Sequence, residues 1–217
     1  MSSEAYKELK ASVKILRLHL LSKKFRTDGY YRDRVFTGVI SFRVLSHAAI
    51  EEYLEKRAIQ IAVSASAICK KHGRISHSAA CLVSFSKKIF GEPPDTFDSP
   101  QPNQQKIWQE KIDMKTRVSV AASLYISNIK NENHGIREKN VLNILLPIGF
   151  PTEKIDPLML AEFDTFGKRR GEVAHSSPKV HTVKKPDPEQ ELATVNRIIN
   201  LLKDVDDELD SILASVT

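Results

Sequence analysis

Apolar residues recur every three or four positions along nearly every long segment of this chain, and that spacing limits its fold more than any other feature. It is the spacing of one face of an α-helix. The pattern is clearest near the two ends of the chain, at Val13, Leu16 and Leu20 and at Ile198, Leu201, Leu202, Val205, Leu209 and Ile212. No segment shows a convincing alternation of apolar and polar residues, which is typical of half-buried β-strands. The sequence therefore predicts an all-α fold.

Glycines, prolines and polar clusters divide the chain into six or seven predicted helices. We place them over residues 3–21, 34–71, 78–90, 104–129, 137–146, 157–174 and 188–213. Ser76 is a candidate N-cap for the third helix, because a serine hydroxyl accepts hydrogen bonds from the first free N–H groups. Weak helix formers allow a break within 104–129, and Asn131–Gly135 is typical of a turn. A chain of 217 residues is near the size of one domain, so we expect a single helical bundle over residues 1–217.

Charge and hydropathy favour a polyanionic partner and argue against a membrane. No apolar run approaches the roughly 20 residues that a transmembrane helix needs. The N-terminal stretch Met1–Leu21 is charged and amphipathic, unlike the apolar centre of a signal peptide. The net charge is +6, and excess lysine and arginine attract nucleic acids. We expect a cytoplasmic protein with no membrane association and with RNA or DNA as its partner.

The sequence carries no recognisable metal-binding pattern. Cys69 and Cys81 have neither zinc-ligand spacing nor a Cys-x-x-Cys redox pattern, and we assign them no function. Four histidines lack acidic partners at the spacing of metal ligands: His19, His72, His77 and His181. We therefore predict no metal ion and no cofactor.

The stretch RRGEVAH (Arg169–His175) carries the candidate catalytic chemistry. Arginine stays cationic and presents a fork of donors that matches a phosphate, whereas histidine gives or takes a proton near neutral pH. RNA supplies its own nucleophile, the 2′-hydroxyl, so such a pair can cleave a phosphodiester without a metal. On a regular helix, Arg170 and His175 would point roughly 140° apart. That separation favours a distorted helix end or a site completed by a second protomer.

Three segments, in this order, resemble the HEPN superfamily and in particular its RiboL-PSP-HEPN branch. SFRVLSHAAIEEYLEKRA (Ser41–Ala58) is similar to the early helix of that branch, with its apolar stripe and acidic residue. NENHGIREKNVLNILLPIGF (Asn131–Phe150) is similar to its Asn-rich turn and the following helix. LAEFDTFGKRRGEVAH (Leu160–His175) resembles the signature helix, with an arginine, four residues ending in alanine, and then histidine.

The resemblance implies a helical bundle that often dimerises, so that the signature Arg and His of both protomers share one cleft. Many members are metal-independent endoribonucleases of toxin and antiviral systems, and others are degenerate binding modules. Carried over, Arg170 and His175 match the signature pair. One departure is Gly171, where the family often has a polar residue, typically Asn. Arg169 fits a looser spacing, so the sequence leaves the choice between the two arginines open.

Other polar residues are candidates for supporting roles. Glu51 lies one turn after His47 on the second predicted helix and could orient an active-site Arg or His, with Glu52 as the alternative. Both are also ordinary charges for an amphipathic helix, and His47 lies in apolar surroundings that suit a core histidine. The range Asn133–His134 precedes a helix, where backbone N–H groups favour phosphate, although the same residues suit simple turn formation.

We predict a homodimeric, metal-independent endoribonuclease with catalytic residues Arg170, His175 and Glu51 and substrate-binding residues Arg169, Asn133 and His134. A toxin or antiviral role would require an antitoxin or another regulatory protein. The alternative, which Gly171 favours, is a non-catalytic module that binds RNA or a protein. A structural dimerisation domain without affinity for nucleic acid is a third hypothesis.

Overall fold

The computed structural model describes residues 2–26, 28–88, 109–110, 112–174 and 185–217 of the chain. All the regular secondary structure in those ranges is helical, which confirms the predicted all-α class. The α-helices are α1 (Glu4–Leu20), α2 (Asp33–His72), α3 (His77–Phe85), α4 (Met114–Glu132), α5 (Glu138–Leu145), α6 (Pro157–Ala174) and α7 (Pro188–Val216). Two 3₁₀ helices follow α5, at Leu146–Ile148 and Thr152–Lys154.

Side-chain caps fix the beginnings of several helices. The hydroxyl of Ser3 accepts from the N–H of Tyr6 at 3.1 Å at the start of α1. Ser76 caps α3 in the same way, accepting from Ala79 at 3.2 Å, as the sequence predicts. Asp113 accepts from two backbone N–H groups and so starts α4 at Met114. These caps satisfy N–H groups that have no partner within the helix.

Some helix ends differ from the predicted ones. The third helix was expected to reach residue 90 but ends at Phe85. The Ser86 hydroxyl there donates to the carbonyl of Val83, and Lys87 has a left-handed backbone with φ of 57°, which a continuing helix does not allow. Helix α4 extends two residues into the predicted turn, to Glu132. The segment 104–108, where its predicted start falls, lies outside the described residues.

The chain forms two compact units, and the first comprises residues 1–56, 134–142 and 152–208. Its buried apolar residues come chiefly from α2, α6 and α7: Val39, Phe42, Ile50, Leu54, Met159, Phe163, Phe166, Val195, Ile198 and Leu202. Removing such side chains from water is the main force that holds helices together. The buried carboxylate of Asp206 accepts from Ser3 at 2.8 Å and from the Tyr53 hydroxyl at 2.9 Å, and so links three helices.

The second unit comprises residues 57–133, 143–151 and 209–217. In it, α3 lies against α4 and against the 3₁₀ helix Leu146–Ile148. The Tyr125 hydroxyl donates to the carbonyl of Ile144 at 2.6 Å, which ties α4 to the end of α5. The Arg74 guanidinium donates to the carbonyl of Val216 at 2.7 Å, near the end of α7.

The single domain expected over residues 1–217 stays a prediction. Among the described helices, none combines the length and apolarity that crossing a membrane requires.

Candidate active site

Helix α6 carries two parallel stripes of side chains that end in different arginines. One stripe is buried and consists of Met159, Phe163 and Phe166, and Arg170 continues it one turn further on, half-buried. The stripe one position earlier consists of exposed or half-exposed residues, Leu158, Glu162 and Thr165, and ends in the exposed Arg169. Neighbouring residues of a helix point about 100° apart. The two arginines therefore leave the helix in different directions.

His47 of α2 lies beside the buried stripe of α6. Its imidazole is 1% exposed and stacks on the ring of Phe166, with ring centroids 5.8 Å apart. Burial, and then the positive charge of Arg170, lower the pKa of His47 from 6.5 to about 4. The histidine is therefore neutral at physiological pH. The electrostatic effect of Arg170 shows that the half-buried arginine acts on this part of the first unit.

Glu51 connects His47 to the turn before α5. One carboxylate oxygen lies 3.6 Å from Nδ1 of His47, which makes no hydrogen bond to any described residue. The carboxylate also accepts a hydrogen bond from the backbone N–H of Gly135. Glu52, the alternative considered from sequence, is exposed and lies near Lys56 instead. This geometry favours Glu51 as the residue that supports the site.

Gly135 adopts a backbone conformation that other residues rarely take. Its φ is +124°, and a Cβ atom there would lie 3.5 Å from Cε1 of His47. That distance is an ordinary contact, so the need for glycine comes from the backbone angle. The conformation aims the N–H of Gly135 at Glu51. The turn therefore depends on glycine to hold the carboxylate in place.

A second set of contacts holds the same turn against α6. The Arg137 guanidinium donates to Asp164 of α6 at 3.0 Å, and Lys168 donates to the same carboxylate at 2.6 Å. Hydrogen bonds from Lys168 and then Arg137 lower the pKa of Asp164. At Gly167 a Cβ atom would lie only 2.7 Å from Cγ of Arg137, so the absence of a side chain lets the two segments approach.

The remaining predicted residues fall in three places. Asn133 follows α4 as its half-buried C-cap, and His134 is exposed in the predicted turn before α5. Arg169 lies on the exposed stripe of α6, away from the buried stripe that carries Arg170. His175 lies outside the described residues. Helix α6 is regular up to Ala174, immediately before it.

Gly171 has room for a Cβ atom among the described residues. None of them would lie within 4 Å of that atom, and the residue lies inside α6 with no left-handed backbone angle. Neither space nor backbone geometry requires glycine here. The glycine therefore changes the chemistry at this position and is not required by the structure of α6.

Three partners of the site were not identified from the sequence: His47 as the neighbour of Arg170, Phe166 as its stacking partner, and Gly135 as the donor to Glu51. The signal for Phe166 was present, because Met159, Phe163 and Phe166 are spaced as one helical stripe that Arg170 continues. No comparable signal exists for Gly135, since it lies 84 positions from Glu51 in the sequence. Within the described ranges, no group of three or more His, Cys, Asp or Glu residues is placed to hold a metal ion.

Comparisons with known proteins identify the family. The model of the RiboL-PSP-HEPN family matches residues 10–214, which is nearly the whole chain and more than the three segments between Ser41 and His175 that resemble the family. No significant match was found among curated proteins or among solved structures. HEPN-type families have an all-α fold and often act as ribonucleases, in agreement with the helices described above. The chain therefore belongs to the RiboL-PSP-HEPN family.

Proposed function

We propose that this protein is a metal-independent endoribonuclease of the HEPN type that acts as a toxin or antiviral effector in the cytoplasm. The observation that carries the proposal is the placement of Arg170. It ends the buried stripe of α6, is half-buried itself, and acts electrostatically on His47. A partly desolvated arginine binds a phosphate more strongly than one in open water, because the local dielectric is lower.

The proposed reaction uses the 2′-hydroxyl of the RNA as nucleophile. His175 takes the proton of the 2′-hydroxyl as its oxygen attacks the adjacent phosphorus, and the bond to the 5′-oxygen breaks. A protonated His175, of the same or the partner protomer, gives a proton to that leaving oxygen. Arg170 holds the phosphate and stabilises the charge on its equatorial oxygens in the transition state. The products are a 2′,3′-cyclic phosphate and a 5′-hydroxyl.

In this proposal Glu51 and His47 support the reacting groups and do not exchange protons with the substrate. Glu51 holds the Gly135 turn through the backbone N–H and faces Nδ1 of His47. His47 stays neutral because its pKa is about 4, so no second cation lies beside Arg170. A neutral neighbour keeps the positive charge of the site on the arginine, where the phosphate is to bind. Arg169, Asn133 and His134 remain the proposed contacts to the rest of the substrate.

We further propose that two protomers complete the site. Arg170 and His175 lie five positions apart, which on a regular helix directs them roughly 140° apart. Helix α6 is regular up to Ala174, so the direction of Arg170 can be taken from regular helix geometry. A second protomer can supply the histidine that one helix face does not. An antitoxin or another regulatory protein would restrain the activity in the cell.

Gly171 favours a second candidate function, that of a non-catalytic module which binds RNA. A Cβ atom at this position would meet no described residue within 4 Å, yet the chain lacks the polar side chain that the family often has there. A chain that kept Arg170 for binding and no longer cleaved RNA would tolerate this loss. The two functions differ in turnover, which separates them directly.

The test is cleavage of total RNA in the presence of EDTA by the wild-type protein and by His175→Ala and Arg170→Ala variants. We expect fragments with 2′,3′-cyclic phosphates from the wild type and none from either variant. His72→Ala is the matched control, because His72 is an exposed histidine at the end of α2, and it should cleave normally. Cleavage retained by His175→Ala would contradict the proposed mechanism, and RNA binding without cleavage by the wild type would support the binding module.

A further inference from the structure

A groove of about 260 Å³ lies along the exposed stripe of α6, beside α7. Helix α6 contributes Leu158, Ala161, Glu162, Thr165 and Arg169, and α7 contributes Thr194 and Arg197. All of these residues belong to the first compact unit. The groove is separate from the His47 and Glu51 contacts, which lie beside the buried stripe of α6. Its volume is below the roughly 300 Å³ at which pockets for whole small molecules begin, so it suits a smaller group.

The charges of the groove are unbalanced in favour of an anion. Glu162 pairs with Arg197, with 3.3 Å between Oε1 and Nε. Arg169 has neither an ion pair nor a hydrogen bond to any residue in the described part of the chain. One carboxylate therefore faces two guanidinium groups. A guanidinium presents a planar fork of donors that matches two oxygens of a phosphate.

The neutral residues of the groove are two threonines and two apolar residues. Thr165 is exposed beside Arg169, one turn earlier on the same stripe, and its hydroxyl can donate to an anion. The hydroxyl of Thr194 already donates to the carbonyl of Gln190 at 2.9 Å and has no proton left to offer. Leu158 and Ala161 supply an apolar end that suits the carbon atoms of a sugar. The groove thus combines donors for a phosphate with an apolar surface beside them.

We propose that this groove binds a backbone phosphodiester of the RNA strand next to the one that is cleaved. Arg169 ends the exposed stripe and lines the groove, whereas its neighbour Arg170 ends the buried stripe. Two adjacent arginines that point in different directions can hold two successive phosphates of one strand. The choice of RNA as ligand rests on the proposed function, but the binding itself does not require cleavage.

The proposal predicts changes of RNA affinity in opposite directions for Arg169 and for Glu162. Removing Arg169 deletes a cation that has no other partner among the described residues, and RNA affinity falls. Neutralising Glu162 frees Arg197 for the phosphate, and RNA affinity rises. A groove that merely contributed to the general charge of the surface would not distinguish these residues from other exposed charges nearby.

The test measures binding of a fluorescent 2′-O-methyl RNA, which lacks the attacking hydroxyl, by fluorescence anisotropy over a series of salt concentrations. For Arg169→Ala we expect a Kd raised roughly three- to tenfold, because a charge-assisted hydrogen bond is lost. The slope of log Kd against log salt should fall by about 0.7, as for one lost phosphate contact. Lys168→Ala is the matched control, because Lys168 is the preceding residue and pairs with Asp164 outside the groove. It should change both quantities much less.

For Glu162→Gln we expect a Kd lowered roughly threefold, as one charge-assisted contact to phosphate becomes available. Its control is Glu189→Gln, an exposed glutamate in the first turn of α7 that does not line the groove. Melting temperatures of all four variants show whether each one folds. Equal effects of Arg169→Ala and Lys168→Ala, or no binding of this RNA by the wild type, would overturn the proposal.

A parallel cleavage assay on unmodified RNA separates this inference from the proposed function. Binding that depends on Arg169, by a wild-type protein that does not cleave, supports the phosphate groove and contradicts the endoribonuclease. Cleavage by the wild type, with RNA affinity that responds equally to Arg169→Ala and Lys168→Ala, supports the endoribonuclease and overturns the groove. The two hypotheses therefore fail independently.

Discussion

The imidazole of His47 stacks on the ring of Phe166, with the ring planes inclined by 30°. This contact joins α2 to α6 one turn before Arg170. It also removes the histidine from water, since only 1% of its surface is exposed. The pKa of His47 is therefore set mainly by burial, and no hydrogen bond to Nδ1 from a described residue opposes this effect.

His47 should make the protein less stable in mild acid. Its pKa is about 4 in the folded chain, against 6.5 for an ordinary histidine. As the pH falls from 6.5 to 4, the unfolded chain gains a proton at this site that the folded chain does not, so the free energy of unfolding decreases. The total loss attributable to His47 is roughly 3 kcal/mol below pH 4, and it vanishes above about pH 6.5.

Two measurements check this prediction. NMR titration of the His47 ring should show no protonation until well below pH 6. Urea unfolding of His47→Phe, which keeps an aromatic ring against Phe166, should lose less stability between pH 6.5 and 4 than the wild type. A His47 ring that titrates near pH 6.5 would show that the site is hydrated.

Gly135→Ala should destabilise the first unit by about 1–3 kcal/mol, because an alanine is strained at a φ of +124°. Gly171→Ala is the matched control. That position lies inside α6, and the described part of the chain leaves its Cβ position free, so alanine should leave stability unchanged or raise it by about 0.5–1 kcal/mol. Urea unfolding measures both, and equal stability of the two variants would mean that the turn adapts to a side chain.

Gly171→Asn should raise the cleavage rate severalfold, because it restores the polar side chain that the family often has after the signature arginine. None of the described residues would lie within 4 Å of a Cβ atom there, so the variant should fold normally. Gly171→Ala separates the effect of the amide from that of a stiffer helix. The relevant quantity is the rate of cleavage of a single labelled RNA by each variant. A rate for the asparagine variant no higher than for the alanine variant would argue against a role for this position.

Breaking the pair between Arg43 and Glu191 should cost about 3–5 kcal/mol of stability, because it leaves a buried charge without its partner. The guanidinium binds both carboxylate oxygens, at 2.8 and 2.5 Å, and the two side chains are 12% and 3% exposed. Chemical denaturation of Glu191→Gln would measure this loss. The exposed pair of Lys7 and Glu4 is the control, since its removal should cost less than about 1 kcal/mol. Comparable losses at both pairs would contradict the role of burial.

Much of the local structure could be predicted because it depends on neighbours in the sequence. The helices over 34–71 and 157–174 were predicted to within one residue of α2 and α6, since apolar periodicity and proline positions define them. The N-cap at Ser76 follows from a local hydrogen bond. The early end of α3 was missed, because apolar spacing continues past Phe85 while the backbone at Lys87 turns left-handed.

The sequence by itself determined the all-α class and the family, because periodicity and motif spacing are properties of nearby residues. Only the tertiary structure decided that Glu51 meets the N–H of Gly135 and that His47 lies against Phe166. It also decided the charge of His47, which follows from burial. Those contacts join helices far apart in the chain, and their formation depends on how complete helix surfaces fit together. No short sequence pattern contains that information.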